Sequence, residues 1–356
     1  MKKKTLILGI ETSCDETAVS ILRDNGAKGA EILSNIVSSQ FDIHRSFGGI
    51  VPELAARSHL EKIDLIAKEA LKKSKVKLTD IDAIAATAGP GLIVCLSVGL
   101  NFAKALSLSL KKPLIAVNHL EGHALSPKLN SKINYPYLLL LITGGHTQFV
   151  TVSALGKYKR LGTTIDDALG EAFDKTAKLL NIGFPGGPKI EEYAVKGDCN
   201  RFLLPKPILN KGGCNLSFAG LKTAVLRTMQ FIKTDQDKCD LAASFQKTIL
   251  EILSKKTKVA ISYYTKIHPK NKNLVVAGGV AANAEIRKKL KELCDKEDFN
   301  IYFPDKKLCT DNAAMIALAG LERYNKKKFN KCNFEVRPRW ALDVKAKFLK
   351  GSGVKL

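Results

Sequence analysis

Two histidines stand four positions apart in the stretch Asn118-His-Leu-Glu-Gly-His123. The residues before them, 114–117, form a short apolar run that is typical of a buried strand. If Asn118 caps a helix at this point, His119 and His123 lie one turn apart on the same helix face. Paired imidazoles at this spacing are suited to bind a transition metal, although histidines on a polar surface have the same spacing. The pair therefore predicts a metal centre and leaves its third ligand to be found.

A third ligand is predicted from a later helix. Thr310 is expected to cap a helix that has Asp311 and Asn312 in its first turn. An aspartate at such a position usually stabilises the helix dipole. Here it also follows the last predicted strand, 301–303, and strand-to-helix junctions are where α/β sheets bind ligands. Asp311 is therefore the predicted oxygen ligand that joins the histidine pair.

Two predicted hairpins carry small and hydroxyl residues at their tips. The first follows a strand at 6–11 and has the tip Thr12-Ser-Cys-Asp-Glu16, and the second follows a strand at 137–142 and has the tip Thr143-Gly-Gly-His146. Backbone N–H groups at such tips are suited to bind a phosphate, while a single polar tip often binds nothing. Because both halves of the chain open with this pattern, we predict a duplicated fold with a cleft between the tips.

Three glycine turns also precede predicted helices. They are Gly89-Pro-Gly91, Phe184-Pro-Gly-Gly187 and Gly278-Gly279. A ligand approaches the backbone closely at such turns, but a tight turn that binds nothing uses the same residues. Asn283 is placed in the first turn of the last of these helices and is predicted to hydrogen-bond a ligand there. The alternation of strands and helices predicts an α/β protein in which helices cover mixed sheets.

The composition indicates two domains and a polyanionic partner. The chain has 356 residues, which suits two domains or lobes, and a formal net charge of +23. Nucleic acid is the commonest partner of such a charge, although lysine-rich codon usage produces the same excess. Lys and Arg are dense from Arg323 onward, so we expect a basic C-terminal tail that extends into solvent or binds a polyanion.

The cysteines and the apolar runs indicate the compartment. Eight cysteines are scattered along the chain without a CxxC pair, which argues against a zinc ribbon or a dithiol redox site and fits a reducing compartment. The N-terminal residues show no signal-peptide pattern, and no apolar run is predicted to approach the length of a membrane span. The sequence therefore predicts a soluble cytoplasmic protein without membrane association.

Seven motifs lie in order along the chain between about Leu6 and Leu321 and are specific as a set. They are Gly9-Ile-Glu-Thr-Ser-Cys-Asp-Glu-Thr17, Asn118-His-Leu-Glu-Gly-His123, Thr143-Gly-Gly-His-Thr147, the run Asp166–Lys175, Asn215-Leu-Ser-Phe-Ala-Gly-Leu-Lys222, Gly278-Gly-Val-Ala-Ala-Asn283 and Thr310-Asp-Asn312. This set resembles the TsaD family, the tRNA N6-adenosine threonylcarbamoyltransferases formerly called glycoproteases. The turn Phe184-Pro-Gly-Gly187 and the segment Ser217-Phe-Ala-Gly220 resemble its bacterial and mitochondrial branch.

The resemblance implies a fold and an activity. The fold is the actin/Hsp70-like (ASKHA) fold, in which two RNase H-like lobes of mixed sheet and helices surround a nucleotide-binding cleft. The activity is transfer of the threonylcarbamoyl group from threonylcarbamoyl-adenylate to N6 of the adenosine beside the anticodon, in tRNAs that read ANN codons. The implied partners besides tRNA are a TsaB-like paralogous subunit and a TsaE-like ATPase.

The resemblance also assigns residues. The metal ligands would be His119, His123 and Asp311, a set that suits Fe(II), the favoured ion, or Zn(II). Glu11 and His146 are expected to line the cleft and to handle protons. The residues implied to bind the adenylate are Ile142, Thr143, Gly144, Gly145, His146, Asp174, Gly187, Glu191 and Asn283.

The expected domain boundaries follow from the doubled hairpin and the histidine helix. Lobe I is expected over residues 1–118, with the helix at 310–325 packing back on it. Lobe II is expected over 119–325, with the substrate and metal cleft at the lobe interface. The basic tail then occupies 326–356.

Three other functions share parts of this pattern. A metallopeptidase also uses paired helical histidines, but its glutamate follows the first histidine directly. In this chain Leu120 has that position, and Glu121 lies about 100° further round the helix. A sugar- or acetate-kinase-like ATPase of the same fold class would transfer phosphate instead. A non-catalytic scaffold of a tRNA-binding complex is the third alternative, and the complete ligand set argues against it.

Overall fold

The computed structural model describes residues 4–45, 47 and 49–347 of the chain. Both predicted hairpins and the strand-to-helix alternation are present in these residues. The strands are β1 (Leu6–Glu11), β2 (Glu16–Asp24), β3 (Ala30–Ser39), β4 (Ala83–Gly89), β5 (Leu114–Asn118), β6 (Tyr137–Ile142), β7 (Thr147–Ala154), β8 (Lys157–Thr163), β9 (Asn273–Ala277) and β10 (Asn300–Tyr302). The α-helices are α1 (Phe41–Arg45), α2 (Pro52–Ser74), α3 (Ile93–Leu110), α4 (His119–Leu125), α5 (Leu169–Leu180), α6 (Gly186–Ala194), α7 (Ala219–Thr228), α8 (Asp235–Ile267), α9 (Ala284–Lys296) and α10 (Ala313–Asn325).

The chain divides into two compact units. Of the described residues, the first unit contains those within 4–132 and 310–344, and the second contains 133–309 and 345–347. The histidine helix α4 thus belongs to the first unit, whereas we expected a lobe boundary after 118. The reason is local: α4 follows β5 without a break and packs against α10, which belongs to the same unit.

The first unit is built on a five-stranded mixed sheet of order β3-β2-β1-β4-β5. The β1, β2 and β3 strands pair antiparallel, while β4 joins β1, and β5 joins β4, in parallel. Alternate β1 residues such as Leu8 and Ile10 face the apolar cluster formed with α2 and α3. The α10 helix packs against β1 at Gly9, where an added Cβ would lie 2.5 Å from the Ala313 carbonyl oxygen. Gly9 is therefore required for the close approach of α10.

The second unit repeats this arrangement. Its sheet has the order β10-β9-β6-β7-β8, with β6, β7 and β8 antiparallel and β9 and β10 added in parallel. The predicted duplication is thus confirmed. The sequence analysis did not predict β8, the strand that pairs with β7 beside this hairpin. Its sequence Lys157-Tyr-Lys-Arg160 is rich in charged residues, and its first positions are largely exposed. The α5 and α8 helices contribute Phe173 and Phe245 to the core of the unit.

Residues 330–343, the C-terminal strap, pack on the first unit, although we expected a tail that extends into solvent or binds a polyanion. Asn330 donates its backbone N–H to the carbonyl oxygen of Leu114 at 2.8 Å, and its side-chain oxygen accepts from Ala116 N at 2.9 Å. Trp340 packs against Phe334 with the two rings tilted and 5.9 Å between their centroids. Aromatic burial and backbone pairing therefore hold the strap. The last residues of the expected tail, 348–356, lie outside the described residues.

The α3 helix corrects one expectation. Among the residues that the structure describes, it is the one helix whose length and composition would allow it to cross a membrane. The expectation that no apolar run approaches that length is therefore wrong. In the structure α3 packs against β4 and α2, so part of its apolar surface is buried within the first unit.

Candidate metal centre

The two histidines lie at the start of α4, as their spacing predicts. The Asn118 side-chain oxygen accepts hydrogen bonds from Leu120 N at 2.9 Å and Glu121 N at 3.3 Å, which fixes the first turn of the helix. The His119 and His123 rings meet edge to face, with 4.8 Å between their centroids. Asn118 also donates to the carbonyl oxygen of Trp340 in the C-terminal strap at 2.9 Å. The orientation of the pair is thus set by the helix cap.

Asp311 joins the pair, as predicted. Its Oδ1 lies 3.4 Å from Nε2 of His119 and 3.1 Å from Nε2 of His123. One ligand atom from each of the three residues lies within 4.8 Å of the others. The expected helix position was wrong, because α10 begins at Ala313 and its cap is Asn312, which accepts from Met315 N. Asp311 precedes the cap, so its orientation is set by the loop before α10. Asn312, and not Asp311, caps the helix.

Glu11 is fully buried and holds His119. Its Oε2 lies 2.9 Å from His119 Nδ1 and accepts from the Thr87 hydroxyl at 2.6 Å, while its Oε1 accepts from Ser13 N at 2.5 Å. Burial opposes ionisation of Glu11, but the neighbouring His119 and Thr87 outweigh it and lower the pKa of the carboxyl. A carboxylate behind a histidine fixes its tautomer and ring orientation in metal sites. Sequence reasoning missed this use of Glu11 and the supporting Thr87.

The arrangement requires a positive charge beside Asp311. If His119 donates its Nδ1–H to Glu11, a neutral ring presents the Nε2 lone pair to a carboxylate oxygen 3.4 Å away. Two acceptors in contact repel unless a proton or a cation lies between them. Burial opposes the charged imidazole, but Asp311 and Glu11 outweigh it and raise the pKa of His119 well above its ordinary value. A bound divalent cation would supply the same charge, so these residues fit a metal.

Glu121 is committed to a different contact. Its carboxylate is buried and accepts from Arg323 Nε at 2.6 Å. A general base in a metallopeptidase must reach a water on the metal. The ion pair with Arg323 argues against that use of Glu121.

The Thr143–His146 turn of the second unit forms a compact tip with an open surface. Thr143 N donates to the His146 carbonyl at 2.8 Å, and His146 N donates to the Thr143 hydroxyl at 3.0 Å. A Cβ added at Gly144 or Gly145 would meet no described atom within 4 Å outside the two chain neighbours of that glycine. The tip therefore leaves space beside its backbone.

Two other glycines bring neighbouring turns against this tip. An added Cβ at Gly170 would lie 2.8 Å from Gly144 Cα, and one at Gly278 would lie 2.4 Å from the Ile142 carbonyl oxygen. Gly278 has φ of 103°, which other residues rarely adopt. The start of α5 and the turn after β9 thus converge on the tip. Gly170 was not singled out from the sequence, because an isolated glycine in a helical run has no distinctive signal.

The remaining adenylate-binding candidates lie around α6 and α9. Asp174 accepts from Gly186 N at 2.8 Å, and Glu191 accepts from Ala284 N at 2.8 Å. Asn283 caps α9 by accepting from Ile286 N at 2.9 Å, rather than lying in the first turn as expected. Its amide also donates to Gln246 at 3.0 Å.

These contacts change what several of the expected residues are able to do. Asn283 already bonds its own helix and Gln246, so its orientation is fixed. By contrast, a Cβ added at Gly187 would meet no described atom within 4 Å outside its chain neighbours and the backbone of its own helix. Gly187 therefore leaves space for a ligand beside its backbone. The side-chain amide of Asn283 is held in one orientation by its two hydrogen bonds.

Comparison with known proteins identifies the family. A family model described as TsaD, tRNA N6-adenosine threonylcarbamoyltransferase, matches residues 31–318. The curated tRNA N6-adenosine threonylcarbamoyltransferase of Pelagibacter ubique is 67% identical over 357 residues, which cover 100% of each chain. The protein of the same name from Rickettsia massiliae is 57% identical over 341 residues, covering 95% of this chain and 98% of the relative.

Solved structures support the fold. HypF from T. kodakarensis has a TM-score of 0.61 at 14% identity, covering 91% of this chain and 48% of that chain. Component A of the Acidaminococcus fermentans (R)-2-hydroxyglutaryl-CoA dehydratase has a TM-score of 0.52 at 15% identity, covering 89% and 99%. These likenesses confirm the predicted two-lobed, ASKHA-like α/β fold. From the family match and the relatives we conclude that the chain belongs to the TsaD family of tRNA N6-adenosine threonylcarbamoyltransferases.

Proposed function

We propose that this protein transfers the threonylcarbamoyl group from threonylcarbamoyl-adenylate to N6 of adenosine 37 in tRNAs that read ANN codons. The observation that carries the proposal is the convergence of His119, His123 and Asp311 on one point in a chain of this family. Family membership supports the reaction, and the ligand geometry supports an intact metal centre.

The proposed metal is one divalent transition ion, with Fe(II) favoured and Zn(II) possible, because two imidazoles and one carboxylate suit either. When bound, it would act as a Lewis acid toward an oxygen of the substrate. Glu11 would be a positioning residue. Because its carboxylate contacts Nδ1 of His119 at 2.9 Å, it would keep the Nε2 lone pair of that ring directed at the ion. This replaces the proton-handling role expected of Glu11, since its side chain is fully buried.

The proposed adenylate site consists of the residues around the Thr143–His146 turn and Gly187. The space beside Gly144, Gly145 and Gly187 supports it, because a ligand can approach the backbone closely at such turns, where N–H groups bind phosphate oxygens. Asp174, Glu191 and Asn283 fix the neighbouring turns by the hydrogen bonds given above. His146 is the remaining candidate for accepting the proton that leaves the adenosine amine.

The chemistry explains why substrate binding and orientation are expected to make the main contribution to catalysis. An exocyclic adenine amine is a weak nucleophile, and the adenylate supplies a good leaving group. Positioning these two groups and stabilising charge on the carbamoyl oxygen are then the main tasks of the protein. The hydrogen-bonded turns and the candidate metal centre would serve these tasks.

The net charge of +23 supports tRNA as the acceptor. In β8, Lys157 and Lys159 are exposed and two residues apart, so both project from the same face of an edge strand. Lys222 is a weaker candidate, because it pairs with Asp167 at 3.0 Å. We also propose a TsaB-like subunit and a TsaE-like ATPase as partners, and the cytoplasm as the compartment.

The decisive experiment is an assay of threonylcarbamoyl transfer from the adenylate to unmodified tRNA, with and without the two proposed partners. We expect N6-threonylcarbamoyladenosine in the tRNA, and its formation should depend on bound metal. ATP hydrolysis without any transfer to tRNA would contradict the proposal and favour the kinase-like alternative.

A further inference from the structure

The tip of the first hairpin is anchored by three other parts of the first unit. Three successive carbonyl groups at the tip each accept a hydrogen bond from a different segment. The contacts are Ser13 O from Leu92 N at 2.9 Å, Cys14 O from His59 Nε2 at 3.0 Å, and Asp15 O from Gln40 N at 3.0 Å. Of the three donors, His59 alone is a side chain, and it is fully buried in α2.

A continuous set of hydrogen bonds leads to His59 from the start of α2. The Gln40 Nε2 group donates to the Ala55 carbonyl at 3.2 Å, which fixes which end of the amide is the donor. Gln40 Oε1 therefore accepts from His44 Nε2 at 3.2 Å. With that proton on Nε2, His44 Nδ1 accepts from Val51 N at 3.4 Å. Every group in this set has a partner of the opposite hydrogen-bonding kind.

His59 completes the set with one defined tautomer. Its Nδ1 accepts from Gln40 Nε2 at 3.2 Å and from the Thr17 hydroxyl at 2.7 Å, so Nε2 carries the proton that is donated to Cys14 O. Burial lowers the pKa of His59, which keeps the ring neutral. A neutral ring is required here because only the neutral form both accepts at Nδ1 and donates at Nε2.

The anchored tip in turn holds the metal-binding histidine. Ser13, the residue before Cys14, donates its N–H to Glu11 Oε1, and its hydroxyl lies 3.2 Å from Nδ1 of His119. Ser13 is bonded directly to Cys14, so the position of the Cys14 carbonyl is coupled through one residue to the Ser13 groups that contact Glu11 and His119. His59 is connected to His119 through one turn of backbone.

We propose that His59 is a positioning residue for the metal centre, which it orders by holding the Cys14 carbonyl. The inference rests on the proposed metal site and deepens it. It predicts that loss of the donor at Nε2 weakens metal binding without removing a ligand.

The test compares His59→Leu, which removes both ring nitrogens, with His59→Gln, whose amide nitrogen reaches a similar position and still donates. Zn²⁺ affinity is measured by competition with a chromophoric chelator, and the ligand geometry by the visible absorption of bound Co²⁺. We expect His59→Leu to lower the affinity about 10-fold, the lower end of the effect of residues that orient metal ligands. His59→Gln should restore most of that loss and the wild-type Co²⁺ spectrum.

Ile63→Ala is the matched control, because Ile63 lies one turn along α2, is buried, and packs in the core of the same unit. It should lower the melting temperature and leave Zn²⁺ affinity unchanged. If His59→Leu is insoluble, Thr17→Val removes the shortest hydrogen bond to the ring with little change in volume, and it should weaken Zn²⁺ binding in the same direction.

Two results would overturn the inference. One is wild-type Zn²⁺ affinity in folded His59→Leu, and the other is an equal loss of affinity in Ile63→Ala. Absence of Zn²⁺ binding by the wild-type protein would instead refute the metal site, and with it this inference. The two failures are therefore distinguishable.

Discussion

The two candidate sites are built in different ways. In the first unit, side chains from α4, β1 and the loop before α10 contact one another at 2.9 to 3.4 Å, and the site is defined by these contacts. In the second unit the candidate site is defined by backbone turns and by glycines at which an added Cβ would meet no described atom within 4 Å outside its own chain neighbours and helix. One site is therefore sensitive to loss of a side chain, and the other to gain of one. Variants that remove or add atoms should separate the two behaviours.

The largest effect is expected from removing a ligand. His123→Ala or Asp311→Ala should lower metal affinity by more than about 100-fold, because ligand loss exceeds the roughly 10–100-fold effect of residues that only orient ligands. Bound metal is measured by mass spectrometry after dialysis, and transfer activity should fall with it. Asp64→Ala, which removes an exposed carboxylate on α2 of the same unit, is the control. Full metal occupancy in Asp311→Ala would exclude that residue from the site.

Glu11→Gln tests the contact behind His119. We expect metal affinity to fall about 10–100-fold, since the neutral amide no longer stabilises the required tautomer. Glu121→Gln is a demanding control, because it neutralises another buried carboxylate, which pairs with Arg323 rather than with a histidine. It should destabilise the fold while metal affinity is kept. Equal metal affinity in Glu11→Gln and the wild type would mean that the His119 ring needs no such support.

The second unit should respond to added atoms. Gly145→Val or Gly187→Val should weaken binding of a non-hydrolysable adenylate analogue by about tenfold or more, equivalent to about 1.4 kcal/mol, with little change in melting temperature. Isothermal titration measures the affinity. Gly186→Ala is the contrast, because its Cβ would lie 2.5 Å from Asp174 Cα and should lower stability instead. Unchanged affinity in both valine variants would show that the pocket lies elsewhere.

The buried His59 predicts a pH dependence of stability in the first unit. Its folded-state pKa is lowered by burial, so below the unfolded-state value of about 6.5 the unfolded chain binds more protons than the folded one. The contribution of neutral His59 to the free energy of unfolding is therefore fully present above about pH 6.5. It is lost as the pH falls, by at most about 1.4 kcal/mol per pH unit. His59→Gln should show a shallower loss than the wild type in chelator-treated protein. Identical slopes would mean that His59 does not titrate on unfolding.

The smallest effect concerns the exposed lysines of β8. If they contact tRNA phosphates, replacing Lys157 and Lys159 with Glu should lower the slope of log K against log salt by about 0.9 per lost contact on duplex RNA and about 0.7 on single strands. Charge reversal of the exposed Lys326 to Lys328 tests the segment before the C-terminal strap in the same way. Slopes equal to that of the wild type would exclude these patches from the RNA interface.

The sequence predicts the geometry of the candidate metal centre better than that of the candidate substrate site, for a physical reason. Once Asn118 caps α4, helix geometry fixes the relative positions of His119 and His123. Their four-residue spacing is therefore enough to predict that the two rings lie close together. Asp311 was identified although its helix position was misjudged, because the strand-to-helix junction constrains it either way. The role of Glu11 depends on pairing between β1 and β4, which brings Thr87 beside it, and no local pattern shows that. Space beside Gly187 is a tertiary property, and a glycine in a turn has the same sequence with or without it.

The division of the chain has a consequence for its synthesis. Almost all of the second unit comes from one continuous segment, residues 133–309, whereas the first unit needs residues from both sides of that segment. The cap of the histidine helix is completed by the Trp340 carbonyl, and Asp311 also comes from the distal side. Because domains tend to fold as units while the chain emerges from the ribosome, we expect the second unit to form first. The first unit, although it contains the first residues translated, is then expected to be completed last. The nascent chain would have no assembled set of candidate metal ligands until translation is nearly over.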